Sequence, residues 1–273
     1  MRGTYRGSSS RRWAGCGWIL AVALLVTGTG CSGSGWQFQP EDQFGRTYYI
    51  DGAGNWGFGR FAVPHGLRGA GYQGRVTSYP WTVTFNPALD QTVGRFVAKA
   101  KGKQLAREIE HYLAGYPNNE VHIIALSAGT GVAVWACECL TPPAKVGNVV
   151  LLGSSLSSNY NMSKALARIQ GSVFVYYSPN DGVLDGPVRV LGTIDGSLGT
   201  ESAGLVGLRS SSSKIRNIAW NSRYEAYGWT GSHVSAVHED FVKQVLARHV
   251  MPSRQQVAAQ ASDNRQTNLT VQQ

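Results

Sequence analysis

Six short apolar runs punctuate the chain, at 47–50, 76–79, 121–126, 149–152, 173–177 and 215–219. Several are continuously apolar rather than alternating, the pattern of strands buried on both faces. Helical periodicity lies between them. The clearest case is 94–115, where Leu105, Ile109, Tyr112 and Leu113 share one face while Lys101, Arg107 and Glu108 lie elsewhere on the wheel. Gly115 and Pro117 then stop that helix. Further helices are expected near 62–70, 128–140, 162–169 and 239–249. Strands alternating with helices imply right-handed crossovers and a parallel sheet covered on both sides. The expected fold is therefore α/β: a three-layer αβα sandwich of about six mostly parallel strands.

Composition agrees and excludes several classes. Charged residues make up 15% and hydrophobic ones 42% of the 273 residues, the reverse of a disordered chain. Glycine is abundant, at 34 residues, but follows no three-residue period, which excludes collagen. No internal repeat is present. The net charge of +9 falls to +5 once Arg2, Arg6, Arg11 and Arg12 are set aside, because residues 1–30 contain no acid. The remaining basic residues are scattered, the tightest group being Lys99, Lys101 and Lys103. A nucleic-acid reader clusters its basic residues, so no nucleic-acid partner is expected.

Those four arginines precede an apolar run at 18–26 and then Thr27-Gly28-Thr29-Gly30-Cys31. A charged start, a short apolar stretch and small residues form the layout of a secretory signal peptide over 1–30. The run is too short for a bilayer span of about 20 residues. The segment resembles a bacterial lipoprotein signal, which implies lipidation of Cys31 and a membrane anchor in the cell envelope. Gly28 stands where that pattern prefers Leu, so cleavage without lipid, to a periplasmic or secreted protein, stays open. Residues 31–45 are read as a tether, 46–251 as the folded domain and the polar stretch 252–273 as a disordered tail. With Cys16 in the leader and Cys31 lipidated, Cys137 and Cys139 remain. At i, i+2 on a helix they face different ways and are expected to be two buried free thiols. No Cys or His set has metal-ligand spacing, so neither a metal nor a cofactor is expected.

In parallel sheets ligands bind at the carboxyl ends of the strands, near the topological switch point. After the run 121–126 comes Ser127-Ala128-Gly129-Thr130-Gly131, a serine between small residues at a strand-to-helix turn. This is the setting of a nucleophile elbow, where a strained turn lifts a hydroxyl clear of the sheet. A plain alternative is a glycine-rich turn with Ser127 as helix cap. Asp181 follows the run 173–177, and His233 follows the last strand in Gly231-Ser232-His233. Imidazole can take a serine proton near neutral pH, and a carboxylate fixes its tautomer and stabilises the imidazolium.

The chain order Ser127, Asp181, His233, each after its own strand, resembles the α/β-hydrolase superfamily over about 45–250. Ala125 stands where the first glycine of the G-x-S-x-G motif is usual. The resemblance implies a serine esterase or lipase with a Ser-His-Asp triad and an acyl-enzyme. It also implies an oxyanion hole from the backbone of Ala128 and of Ala53, in the loop Asp51-Gly52-Ala53-Gly54-Asn55, with Asp51 standing where the family has histidine. His238 is the chief rival base, and its place before Glu239-Asp240-Phe241 reads as a helix start. Asp185 and Asp195 compete less well for the acid. His65, His111, His122 and His249 read as structural, and Thr130 and Tyr160 as polar packing.

Only 53 residues separate Ser127 from Asp181, which leaves no room for a cap domain. The expected domain is a minimal α/β-hydrolase fold, lidless, open to small or polymeric esters. The glycine-rich stretch 182–207 is read as a mobile loop over the site or an exposed excursion. Trp36, Trp56, Phe58, Trp81, Phe85 and Trp229 either rim the site or pack the domain. The alternative function is a non-catalytic envelope lipoprotein of the same fold, binding polymers or a partner.

Overall fold

A computed structural model describes residues 36–251, apart from residues 55, 83–85, 87, 89 and 91–93. The leader, Cys31, Phe85 and the tail 252–273 lie outside the described residues. The six strands are β1 (Arg46–Ile50), β2 (Arg75–Ser78), β3 (Val121–Leu126), β4 (Val149–Leu152), β5 (Val173–Tyr177) and β6 (Ile215–Ala219). Each falls within one or two residues of an apolar run in the sequence. They form one sheet in the order β2-β1-β3-β4-β5-β6, every pairing parallel. The chain crosses from β1 to β2 and then doubles back past β1 to β3, so the switch point lies between the carboxyl ends of β1 and β3.

Strand geometry explains the continuous apolar runs. Successive side chains point to opposite faces, so Ile123 and Ala125 enter one core while Ile124 and Leu126 enter the other. The first core is covered by α2 (Arg95–Gly115), α3 (Gly129–Cys139) and the short α4 (Ser163–Leu166). The second is covered by α1 (Ala62–Gly69) and a C-terminal helical run over 239–249. Three layers with both faces of the sheet buried are the expected αβα sandwich, and no cap domain is present among the described residues. None of the described helices is long and apolar enough to cross a membrane.

Some expectations are corrected. The helix expected at 162–169 is only the single turn of α4. Two short helical pieces not read from the sequence, Leu184–Val188 running into Arg189–Leu191 and Ala203–Val206, lie within the glycine-rich stretch. They are too short for periodicity to reveal. Part of that stretch is tied to the body, with Ile194 fully buried and its N–H donating to the Ser155 carbonyl at 3.0 Å, while Val190 and Leu198 stand exposed. Asp195 accepts the Ser157 N–H at 2.8 Å. Cys137 is buried, which pushes its thiol up to about 12, but Cys139 is exposed; both are free.

The end of the segment read as a tether belongs to the packed body. Pro40–Phe44 forms a tight helical turn whose Asp42 is fully buried against Arg46 of β1. A buried guanidinium needs a carboxylate partner, and this chain supplies it from just ahead of the first strand.

Candidate active site

Ser127 sits at the carboxyl end of β3, at the switch point, with φ +52°. It is the only non-glycine residue with positive φ among those described. A left-handed serine is uncommon and is held only where its surroundings over-determine it. The restraints are visible. Its N–H donates to the Leu152 carbonyl at 2.9 Å, and its own carbonyl accepts from Thr130 N–H at 3.1 Å and Thr130 Oγ1 at 2.5 Å. Thr130 Oγ1 also meets Ser154 Oγ at 2.8 Å. The turn is possible because Gly129 has no side chain: a Cβ there would overlap the Asp51 carbonyl. Ser127 is thus a strained turn residue, and Thr130, read as polar packing, clamps it.

Asp181 and His233 come together from loops that follow β5 and β6. His233 Nδ1 lies 2.7 Å from Asp181 Oδ2, and both side chains are largely buried. The other carboxylate oxygen, Oδ1, accepts the N–H groups of Val183 and Leu184, each at 3.1 Å. Asp181 therefore stands at the start of a helical turn, where backbone amides favour negative charge, and its free oxygen holds the imidazole. Asp185 instead pairs with Arg189 on the surface, and Asp195 is occupied by Ser157 and Ser197.

The pair lies one strand away from the serine. Leu126 of β3 is in register with Leu152 of β4, so Ser127 neighbours Gly153. A Cβ on Gly153 would lie 3.2 Å from both Asp181 Oδ2 and His233 Nδ1, and Gly153 has φ +47°. Only glycine suits that position, on backbone grounds and on space. The signal in the sequence is a glycine just past an apolar run, a pattern too common by itself to mark a site. Among the described residues no hydrogen bond joins Ser127 Oγ to the imidazole, and His233 Nε2 has no partner.

His238 is elsewhere. It caps the C-terminal helical run through Nδ1, which accepts Asp240 N–H at 3.3 Å, and it has no contact with Asp181. His249 is held by the Tyr176 hydroxyl at 2.8 Å and stacks on Phe174; burial drops its imidazole to about 4. His122 is buried at the opposite end of the sheet, and His65 and His111 are exposed. Tyr160 bridges Glu138 and Trp135, a packing role.

The loop after β1 brings backbone donors to the serine. A Cβ on Gly52 would lie 3.2 Å from Ser127 Cβ. Ala53, next in the chain, and Ala128, at the start of α3, have no hydrogen-bond partner for their N–H groups among the described residues. Helix starts leave such donors open. The aromatic residues divide: Trp81 and Trp229 are buried, Trp56 and Phe58 stand exposed on the loop beside Ser127, and Trp36 lies at the far end of the sheet near His111.

The six-stranded parallel sheet with helices on both faces is consistent with an α/β-hydrolase-like fold. No protein-family model and no curated protein matches the chain. Among solved structures it is similar to esterase PE8, at 12% identity and TM-score 0.42, over 75% of this chain and 91% of that one. It is similar to carboxylesterase CesB (YbfK) from Bacillus subtilis, at 9% identity and TM-score 0.41, over 76% and 83%. The apo form of Thermogutta terrifontis esterase 2 gives 10% identity and TM-score 0.41, over 78% and 83%.

Proposed function

We propose that this protein is a serine hydrolase that cleaves carboxylic esters through Ser127, His233 and Asp181. The observation that carries the reading is the buried Asp181–His233 pair set one strand from a serine at φ +52°. Asp181 accepts a hydrogen bond from Nδ1–H, which leaves Nε2 as the ring's basic nitrogen. Nε2 takes the proton of Ser127 Oγ as that oxygen attacks the ester carbonyl carbon. The oxyanion that forms is met by the N–H groups of Ala53 and Ala128. Collapse of the tetrahedral species expels the alcohol, which receives its proton from the imidazolium. Water, deprotonated by the same imidazole, then hydrolyses the acyl-serine.

The absence of a cap among the described residues suits an open cleft, and the exposed rings of Trp56 and Phe58 favour an apolar ester group. Export, with Cys31 as a lipid anchor in a bacterial envelope, is part of the same proposal and rests on the leader's layout. The second reading, a non-catalytic binding protein, draws on the missing Ser127–imidazole hydrogen bond. That contact is often long before substrate arrives. A fluorophosphonate probe decides between them. Covalent labelling of the wild type, lost in Ser127→Ala, is expected; a folded wild type that does not label defeats the hydrolase reading.

A further inference from the structure

The loop after β1 carries a second acidic device. Asp51 is buried, and three donors converge on its carboxylate: Gly52 N–H and the Tyr49 hydroxyl on Oδ1, each at 2.9 Å, and Gly57 N–H on Oδ2 at 2.7 Å. Its carbonyl accepts Trp81 Nε1–H at 2.8 Å. Burial and the adjacent carboxylate push the Tyr49 phenol well up, so it stays a donor. Gly54 N–H is taken by the buried Asp90 at 2.9 Å. Of the amides at 52, 53, 54 and 57, three are thus consumed by two carboxylates. Ala53 N–H, between two of them and next to the residue that abuts Ser127, is left over.

We propose that Asp51 is the positioning residue of the oxyanion loop: by binding Gly52 and Gly57 it holds the loop so that Ala53 N–H stays uncommitted and faces the reacting carbonyl. This rests on the hydrolase reading above and deepens it. Asp51 touches no substrate atom. It acts through backbone it has immobilised, as a preorganised donor requires.

The test is Asp51→Asn, which keeps the shape but turns one acceptor into a donor facing an N–H. With p-nitrophenyl butyrate, kcat is expected to fall about 10–10²-fold at a KM within about threefold of wild type. Affinity for an alkyl boronic acid, which mimics the tetrahedral species, falls in the same proportion. An unchanged kcat, or a loss confined to KM or to melting temperature, overturns the proposal. Where Asp51→Asn does not fold, Tyr49→Phe removes one donor from the same carboxylate. A kcat lowered about 3–10-fold at constant KM then supports it, and an unchanged kcat overturns it. Fluorophosphonate labelling separates the two ideas. A wild type that does not label defeats the hydrolase reading and this inference with it. A wild type and Asp51→Asn that label equally fast defeat this inference alone.

Discussion

Each end of the sheet buries an aspartate beside a basic side chain, and the two pairs differ in what they leave over. At the amino end Arg46 Nε and Nη2 donate to the two Asp42 carboxylate oxygens at 2.7 and 2.6 Å, while Nη1 donates to the Tyr48 hydroxyl at 3.0 Å. Gln39 N–H and Arg75 add to the same carboxylate. Burial alone would raise Asp42, but the Arg46 hydrogen bonds and charge, the Gln39 N–H and the Arg75 charge together outweigh it and hold the carboxyl below its ordinary value. At the carboxyl end Asp181 is satisfied by two amides and His233, yet the arrangement stops short. His233 Nε2, Ser127 Oγ and the Ala53 and Ala128 N–H groups have no partner among the described residues. One cluster is closed and locks the chain, whereas the other is open, with donors and acceptors left unused on loops around a strained turn. Saturated polar networks stabilise; unsaturated ones in a cleft are available to a ligand.

Substitutions can break this contrast. The largest effect is expected from Asp181→Asn, which keeps the shape but favours the wrong imidazole tautomer. Ester hydrolysis should fall about 10³–10⁴-fold with melting temperature nearly unchanged, and steady-state kinetics beside calorimetry checks both halves. The converse is expected of Asp42→Ala. Removing the carboxylate that the buried Arg46 donates to twice costs about 3–5 kcal/mol of stability in urea titrations, while kcat per folded molecule holds. If Asp42→Ala lost activity without stability, the division between the ends would fail.

Two smaller effects sharpen the picture of the closed end. His249 lies below its unfolded value of 6.5, at about 4, because burial disfavours the imidazolium. Below pH 6.5 the unfolded chain takes a proton that the folded one refuses. Stability is therefore present above pH 6.5 and is lost as pH falls toward 4, by as much as about 3 kcal/mol. Urea midpoints at pH 7, 5.5 and 4 should show that slope, flattened in His249→Asn. The smallest effect is at Glu108, buried with Oε1 unpartnered and raised by burial against the pull of Tyr48 and Arg46. Folding favours its protonated form, so its contribution is fullest below the ordinary glutamate value and declines as pH rises through the raised one. Glu108→Gln should gain about 1 kcal/mol at pH 7 by denaturant titration; a loss would show the charge is needed.

The parallel sheet was legible because strands buried on both faces must be apolar throughout, and all six runs became strands. The strand-to-helix turn at Ser127 was legible because small residues directly follow an apolar run there, and the loop place of Asp181 because it follows a strand closely. Less could be read where the signal is short or distant. The turns at 184–191 and 203–206 hold too few residues for periodicity. Gly153 mattered only once two loops from other strands were packed above it. Asp42 looked like part of a tether because its partner, Arg46, sits inside a strand, where a charge gives no hint of its mate.

The sequence alone determined the class of fold, the order of its elements and the set of chemically able residues at strand ends. Those follow from local rules: side-chain period, turn residues and the placement of ligands at carboxyl ends. Tertiary structure decided which of them meet. It paired His233 rather than His238 with Asp181, turned Ser127 into the left-handed region and engaged the amides of Gly52, Gly54 and Gly57 while leaving those of Ala53 and Ala128 without a partner among the described residues. These choices depend on sheet order and on contacts between residues far apart in the chain, at separations where no local periodicity reaches.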